Sequence, residues 1–185
     1  GFFEKNFTTK EWNTIPVPSC WQMQGYGQMH YTDVWYLFPV NPPFVPSENP
    51  AGIYRRSFTV PDTWQDGKTI LRFDGVGSAF DVWINGIHCG YSKVSRLASE
   101  FDISHCVVIG ENQITVRVYQ WSDGSYLERQ DMWVFSGILR DVTVYHENAC
   151  SISTCFVCGD LKNGYKDGVL YADVLLSAEA EGADY

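Results

Sequence analysis

A short stretch of this sequence concentrates three carboxylates between two tryptophans. It reads WSDGSYLERQDMW, and its acidic side chains are Asp123, Glu128 and Asp131. Two carboxyl groups held about 5 Å apart can serve as nucleophile and general acid in a retaining glycosidase. Alternatively, Asp123 and Asp131 accept hydrogen bonds from backbone amides in an irregular loop, or they bind a hard cation such as sodium, magnesium or calcium. Spacing alone favours this second interpretation.

Other reactive residue types form no comparable group. Cys150, Cys155 and Cys158 have the C-x4-C-x2-C spacing of plant-type iron–sulfur ligands, but ACSISTCFVCGD reads as a strand without a glycine-rich loop. We therefore interpret the six cysteines as thiols in a reducing compartment rather than as metal ligands. The four histidines are far apart in the sequence, and no nucleophile elbow, Walker loop or complete dinucleotide-binding fingerprint occurs.

The elements that must position these side chains are short β-strands. Alternating or apolar runs bounded by turn signals predict strands at 53–60, 69–76, 79–92, 113–121 and 138–147. Asn85-Gly86 splits the third run into a hairpin, because this dipeptide favours the positive φ angles of a type I′ turn. We expect Trp83 to pack in the core and SRLASEFDIS (95–104) to hold a turn of helix. Short strands without long helical segments predict an antiparallel sandwich or jelly roll.

The two ends of the chain differ from this middle. The first fifty residues contain most of the eight prolines, which predicts an extended arm lying over the sandwich rather than the centre of a sheet. After about residue 147 the strand pattern restarts with SISTCFVCG and GVLYADVLLSAE. These runs predict the first two strands of a second β domain.

Composition restricts the class of partner. The hydrophobic share of 45% is typical of a globular protein. The net charge of −9, with only 13 scattered Lys and Arg, argues against binding to nucleic acid or to an anionic membrane surface. No apolar run approaches the ~20 residues of a membrane-spanning helix. The chain opens on Gly1 without a visible signal peptide, so we expect it to be a piece of a longer protein.

Longer motifs resemble one family closely. The resemblance is carried by WNTIPVPSCWQMQGYG, YTDV, VNPPFVPSENPAGIYRRSF, FDGVGSAFDVWINGIHCGYSKVSRLASEFDIS, GENQITVRVYQWSDGSY and, after QDMW, SGILRDV. In this order they are similar to the N-terminal domain of the large bacterial β-galactosidases of glycoside hydrolase family 2, of the lactose-operon and evolved types. The resemblance covers nearly the whole chain.

The resemblance implies an all-β fold in two parts. A jelly-roll, galactose-binding-domain-like β-sandwich with a proline-rich arm is expected at 1–147, and the truncated start of an immunoglobulin-like β-sandwich at 148–185. In this family two glutamates on a later (β/α)8 barrel hydrolyse terminal β-D-galactosides with retention, the reaction of EC 3.2.1.23. The resemblance therefore implies no catalytic residue in this chain, which overrides the paired-carboxylate hypothesis. It implies sodium and magnesium as cofactors of the parent enzyme.

The resemblance also assigns roles to particular side chains. Asp131 matches the aspartate of the family's Q-D-M-W motif, which contacts galactose hydroxyls and helps to hold sodium; a carboxylate suits both tasks. Asp33, in YTDV, stands where the family has a substrate-contacting amide, and Val34 is expected to line the same pocket. Asp123 matches a magnesium ligand, but Lys93 replaces the family's glutamine. Since an ammonium cannot coordinate a cation, we expect that magnesium site to be lost.

These assignments explain the opening stretch and set the expected partners. The segment is polar because it faces a sugar and a cation, while Trp121 and Trp133 are expected to anchor it to the sandwich. The expected partners are a β-galactoside shared with the barrel, the remaining domains of the parent chain and a possible homo-oligomer, in the bacterial cytoplasm. Two alternatives stay open: an autonomous carbohydrate-binding module with an exposed aromatic cleft, and a scaffold whose arm at 39–50 mediates subunit packing.

Overall fold

The regular structure of this chain is almost entirely β. The computed structural model describes residues 1–33, 35–129 and 131–177. Within those ranges the strands are β1 (His30–Thr32), β2 (Ala51–Val60), β3 (Lys68–Phe73), β4 (Val76–Gly77), β5 (Ala79–Ile84), β6 (Ile87–Ser92), β7 (Ser99–Asp102), β8 (Gly110–Tyr119), β9 (Met132–Val134), β10 (Gly137–Ile138), β11 (Val142–Glu147), β12 (Ile152–Lys162) and β13 (Asp167–Leu176). The helical elements are a 3-10 helix at Trp21–Gln24 and a single α turn, α1, at Ser125–Glu128. None of the helices in the described ranges has the length and apolar character needed to cross a membrane.

Two antiparallel sheets enclose the main hydrophobic core. One has four strands in the order β2-β8-β5-β6, and the other has three in the order β11-β3-β7. Both sheets place alternate side chains in the same buried cluster, which includes Leu71, Phe73, Phe80, Val82, Ile84, Val116 and Val118. The rings of Phe73 and Phe80, one from each sheet, lie 4.8 Å apart between centroids. The all-β class expected from the strand pattern is therefore confirmed, with a sandwich core between the sheets.

The hairpin formed by β5 and β6, at one edge of the four-stranded sheet, forms as the sequence predicts. Asn85 and Gly86 connect β5 to β6 and have φ angles of 52° and 86°, which are the positive values that a type I′ turn requires. The helical turn expected within 95–104 is wrong, because this segment instead supplies β7, which pairs with β3. Phe101 of β7 packs against the core, and this burial favours the strand over the local helical pattern.

Trp83 is buried, but on the opposite side of the sheet from the sandwich core. It alternates with Val82 and Ile84 along β5 and therefore faces outward. Phe3 stacks on its ring at 5.6 Å and Phe2 meets it edge-on at 5.4 Å, so the chain's first residues cover this face. Trp83 is therefore buried, as expected, but its cover comes from residues remote in sequence instead of from the facing sheet.

The first fifty residues lie against the sandwich and carry two short elements of their own. The 3-10 helix buries Trp21, whose backbone N–H donates to the Ser136 carbonyl at 3.0 Å. Later in this arm, the Asn49 side chain makes two 2.9 Å hydrogen bonds with the backbone of Trp121. Its Nδ2 donates to the Trp121 carbonyl, and its Oδ1 accepts from the Trp121 N–H. The arm also contributes β1, so it contains a strand that the proline-rich pattern did not predict.

The last described residues form a separate two-stranded ladder. β12 and β13 pair antiparallel with each other from Ile152↔Leu176 to Lys162↔Asp167. Every side chain of β12 is exposed, and nearly all of those of β13 are as well. These are the two strands predicted after residue 147. The domain boundary between residues 147 and 148, and the immunoglobulin-like character of 148–185, remain predictions.

Candidate functional site

The structure brings together two of the carboxylates singled out by the sequence. β1 and β9 pair antiparallel, and their last partners are Thr32 and Met132. Asp33 follows Thr32 and Asp131 precedes Met132, so the two acids leave the same end of this ladder. Both are exposed. Val34, expected beside them, lies outside the described residues.

The backbone at Asp131 has an unusual conformation for a residue with a side chain. Its φ angle is 41°, in the left-handed region that non-glycine residues seldom adopt and that Asp tolerates better than most. Asp131 directly precedes the first residue of β9, Met132. Such a conformation persists only where the surrounding structure holds it, and residues that adopt it are enriched at active sites and ligand-binding positions.

The Tyr31 hydroxyl donates a hydrogen bond to Oδ1 of Asp131 from across the ladder. This hydrogen bond, together with the charges of Asp131 and Asp33, raises the pKa of Tyr31 above its ordinary value. The Tyr31 ring also contacts its cross-strand partner Trp133, at 5.6 Å between centroids. Tyr31 thus orients the carboxylate, a role that the sequence did not reveal because its partner is 100 positions away.

Of the two tryptophans that bracket the acidic segment 121–133, Trp121 is buried and anchors it, whereas Trp133 is exposed. Trp121 is buried, with the Phe38 ring at 5.0 Å in an edge-on contact and the guanidinium carbon of Arg129 4.8 Å from its ring centroid. Arg129 also donates to the Gln120 carbonyl at 2.8 Å. The expected anchoring by Trp133 is wrong, because 54% of that side chain is exposed.

The Glu128 carboxylate holds the end of α1 in place through hydrogen bonds to Ser95. Its Oε1 accepts a 3.1 Å hydrogen bond from the Ser95 backbone N–H, and its Oε2 accepts one from the Ser95 hydroxyl at 2.5 Å. Buried Ser122 and Ser125 hold the start of the same turn, since Ser125 Oγ accepts from the Ser122 N–H at 3.0 Å. Trp121 and Glu128 therefore fix the two ends of the segment that leads to Asp131.

Asp123 is engaged by a basic side chain. The Lys93 ammonium lies 2.6 Å from Oδ2 of Asp123, and Oδ1 accepts from the Gly124 N–H at 3.0 Å. The hydrogen bond from Lys93 is the main reason why the pKa of Asp123 lies below its ordinary value. A carboxylate paired with an ammonium makes a poor ligand for magnesium, so these residues do not fit the divalent site of the family.

Metal-ligating residues do not cluster in the described part of the chain. No group of three or more His, Cys, Asp or Glu side chains there could hold a metal ion. Cys155 and Cys158 both lie on β12 but three positions apart, so their side chains point to opposite faces of the strand. This alternation explains why their ligand-like spacing in the sequence does not converge in space.

Several exposed aromatic and thioether side chains lie on β1 and β9 or close to these strands in the sequence. They are Met23, Tyr26, Met29, Tyr31, Trp35 and Trp133. Trp35 is 80% exposed, the most of any tryptophan described. Tyr31 and Trp133, whose rings are in contact across the ladder, place exposed aromatic surface next to Asp131.

Comparison with known proteins identifies the family of this chain. The model of the glycosyl hydrolases family 2 sugar-binding domain matches residues 3–148. A β-galactosidase of Psychromonas ingrahamii is 48% identical over 175 residues, which is 95% of this chain and 17% of that protein. A β-galactosidase of Enterobacter cloacae is 52% identical over 164 residues, 88% of this chain and 16% of that protein.

Solved structures share the fold at lower identity. A β-glucuronidase from an uncultured Clostridium species superposes with a TM-score of 0.71 at 23% identity, covering 96% of this chain and 30% of that one. A β-glycosidase from Bacteroides vulgatus gives 0.69 at 24% identity, covering 94% and 21%. This chain thus spans less than a third of each of these proteins. It belongs to the sugar-binding domain family of the family 2 glycosyl hydrolases.

Proposed function

We propose that this chain is the sugar-binding domain of a β-galactosidase and supplies one wall of its active site. The observation that carries the proposal is the exposed Asp131 carboxylate, held by Tyr31 at the end of the β1–β9 ladder. Two relatives named β-galactosidase, about half identical to this chain and several times longer, support the choice of activity. The whole protein would hydrolyse terminal β-D-galactosides with retention, the EC 3.2.1.23 reaction, through two glutamates on a barrel outside this chain.

In this proposal Asp131 binds and orients the sugar. An ionised carboxylate accepts hydrogen bonds from two hydroxyl groups, and a galactoside presents several. The carboxylate is also a hard oxygen donor that can hold sodium alongside ligands from other domains. Asp33, at the same end of the ladder, would contact the substrate as an acceptor, and Val34 would line the pocket wall.

Of the two cations, sodium suits Asp131, whereas magnesium does not suit Asp123. Asp131 suits sodium because it is an exposed oxygen ligand next to the proposed sugar site. Asp123 does not suit magnesium, because the Lys93 ammonium lies at its carboxylate. Magnesium, as a cofactor of the parent enzyme, would therefore be held by other parts of that protein.

The proposed partners follow from the same assignment. The substrate is a β-galactoside shared with the barrel, and the remaining domains of the protein would pack near Asp131, where Tyr31 and Trp133 are exposed. A homo-oligomer in the bacterial cytoplasm completes the proposal.

The test is Asp131→Asn in the full-length protein. The amide loses the negative charge and one acceptor, so kcat/KM for a β-galactoside should fall by roughly tenfold to a thousandfold. The apparent affinity for sodium should fall with it. Asp62→Asn serves as the matched control, because Asp62 is an exposed carboxyl in a turn before Trp64. An Asp131→Asn enzyme with the kcat/KM of the parent would refute the assignment.

A second candidate function rests on the exposed rings beside the site. Tyr31, Trp35 and Trp133 are exposed by 53%, 80% and 54%. Aromatic faces of this kind can stack on sugars, so the chain could act as an autonomous carbohydrate-binding module. Sugar binding by the isolated chain separates the two candidates.

A further inference from the structure

Two cysteines that are remote in sequence have their sulfur atoms in contact. Sγ of Cys89 lies 3.0 Å from Sγ of Cys106, 17 positions later in the chain. Cys89 is half-buried and Cys106 is buried against the sandwich core. Neither belongs to the proposed sugar site or to the C-x4-C-x2-C motif.

A β-bulge places Cys89 at this position. The β5–β6 register passes from Val82↔Gly90 to Trp83↔His88, which leaves Cys89 as the extra residue on β6. Cys106 comes from the turn after β7, where its N–H donates to the Ile103 carbonyl at 2.8 Å. The bulge on β6 and the turn after β7 thus bring the two sulfur atoms into contact.

The backbones around the two sulfurs are tied together by side-chain amides. Asn85 Nδ2 donates to the Cys106 carbonyl at 3.0 Å and to Asn112 Oδ1 at 2.8 Å. Asn112 is buried, and its Oδ1 also accepts from the Val108 N–H at 2.8 Å. Since a disulfide bond is about 2.05 Å long, the sulfurs need to approach by only about 1 Å, within a frame that is already fixed.

We propose that Cys89 and Cys106 form a dithiol site that closes to an intramolecular disulfide when the native chain meets a low-molecular-weight disulfide such as oxidised glutathione. Cys89, the more accessible sulfur, loses its proton and attacks the small disulfide, which releases one thiolate and leaves a mixed disulfide. Cys106 then loses its proton and attacks the Cys89 sulfur, releasing the second thiolate. The two thiols are oxidised by two electrons and the small disulfide is reduced to two thiols.

The environment sets the rate of this reaction. Burial, with a further contribution from Cys106, raises the pKa of the Cys89 thiol to about 12. Little thiolate is therefore present at neutral pH, so the dithiol persists unless the oxidant is sustained. Because the thiolate fraction grows with pH below that pKa, closure should accelerate roughly tenfold per pH unit.

The experiment oxidises the native chain with oxidised glutathione and then counts thiols after quenching and unfolding. Serine replaces the other four cysteines, Cys20, Cys150, Cys155 and Cys158, so that only the pair can react. We expect both remaining thiols to disappear, the mass to fall by two hydrogen atoms without retained glutathione, and dithiothreitol to restore both. Peptide mapping of the unsubstituted chain, oxidised in the same way, should yield the Cys89 and Cys106 peptides joined, whatever the serine variant does to folding.

Single variants of the pair distinguish a dithiol from two independent thiols. With Cys106→Ser the mixed disulfide at Cys89 should accumulate, because nothing displaces the glutathione. With Cys89→Ser, Cys106 should stay reduced for as long as the chain is folded, since it is 4% exposed. The proposal is overturned if both thiols survive in the native chain, if glutathione stays bound in the two-cysteine protein, or if the product is a disulfide between two chains.

Discussion

At the scale of single residues, the candidate site depends on one hydroxyl placed opposite one carboxylate. The β1–β9 register sets Tyr31 across from Trp133, and the Tyr31 hydroxyl reaches back to Asp131. The left-handed backbone at Asp131 turns the chain into the strand at this point. The carboxylate is therefore restricted by its own backbone and by a donor from another strand, which is the preorganisation that an oriented binding group requires.

Tyr31→Phe in the full-length protein should weaken substrate binding more than turnover. The variant keeps the ring against Trp133 but removes the donor, so Asp131 can rotate away from its binding geometry. We expect KM to rise by roughly threefold to tenfold with a smaller change in kcat. Tyr91→Phe, an exposed tyrosine on β6, is the matched control. Unchanged KM in Tyr31→Phe would show that the hydroxyl does not position the carboxylate.

At the scale of elements, the outer face of the four-stranded sheet holds a charged network. Asp81 on β5 accepts from Arg117 and from the Tyr119 hydroxyl of β8, both at 2.8 Å, and lies 3.1 Å from His88 of β6. Burial alone would raise the pKa of Asp81, but these hydrogen bonds outweigh it and hold that pKa below its ordinary value. Three adjacent strands are thus joined through one carboxylate on the face that Phe2 covers.

Asp81→Asn should destabilise the chain in a pH-dependent way. A carboxyl whose pKa is lowered on folding contributes stability above its unfolded pKa, here 3.8, and this contribution is lost as the pH falls through the lower folded value. We expect a loss of about 1–2 kcal/mol at pH 7 that shrinks as the pH drops below 3.8. Chemical denaturation at several pH values measures this loss of unfolding free energy, with Asp66→Asn, at an exposed position, as the control. A stability difference that stays constant down to pH 2 would contradict the network's role.

At the scale of the whole molecule, this chain presents one part of a site. The two proposed sugar-binding carboxylates that the structure describes, Asp33 and Asp131, lie at one end of a two-stranded ladder, and the relatives are about six times longer. In the proposed function, Asp131 and Asp33 would offer acceptors on one side of a sugar. The remaining contacts, and the enclosure that excludes water from a sugar, would come from the rest of the protein.

Calorimetric titration of the isolated chain should therefore show no saturable binding of galactose or lactose in sodium buffer. A half-site lacks the burial needed to offset the entropy lost on association, even at high millimolar sugar. The full-length protein, titrated in parallel, should bind both. Saturable binding that disappears in Asp131→Ala would favour the carbohydrate-binding module instead.

Local sequence patterns were sufficient to predict most strands and the β5–β6 hairpin, and the resemblance of longer motifs predicted the family. Turn chemistry is local: Asn85-Gly86 prescribes its positive φ angles without help from the rest of the chain. Alternation along β5 likewise predicts a strand whose side chains point to two faces, whichever surfaces cover them. The resemblance carried by WSDGSYLERQDMW, YTDV and the longer motifs predicted the family, which the family model confirms. The roles that the same resemblance assigns to Asp131 and Asp33 stay predictions.

Which residues meet in space depended on long-range packing. Tyr31 with Asp131, Cys89 with Cys106, and Phe3 with Trp83 are pairs whose members lie far apart in the sequence. Their contacts depend on strand register, on a bulge and on where the arm lies, none of which can be read from local patterns. The exposure of Trp133 also depends on long-range packing. A strand pattern predicts on which face of the sheet a side chain lies, but not whether another element covers that face.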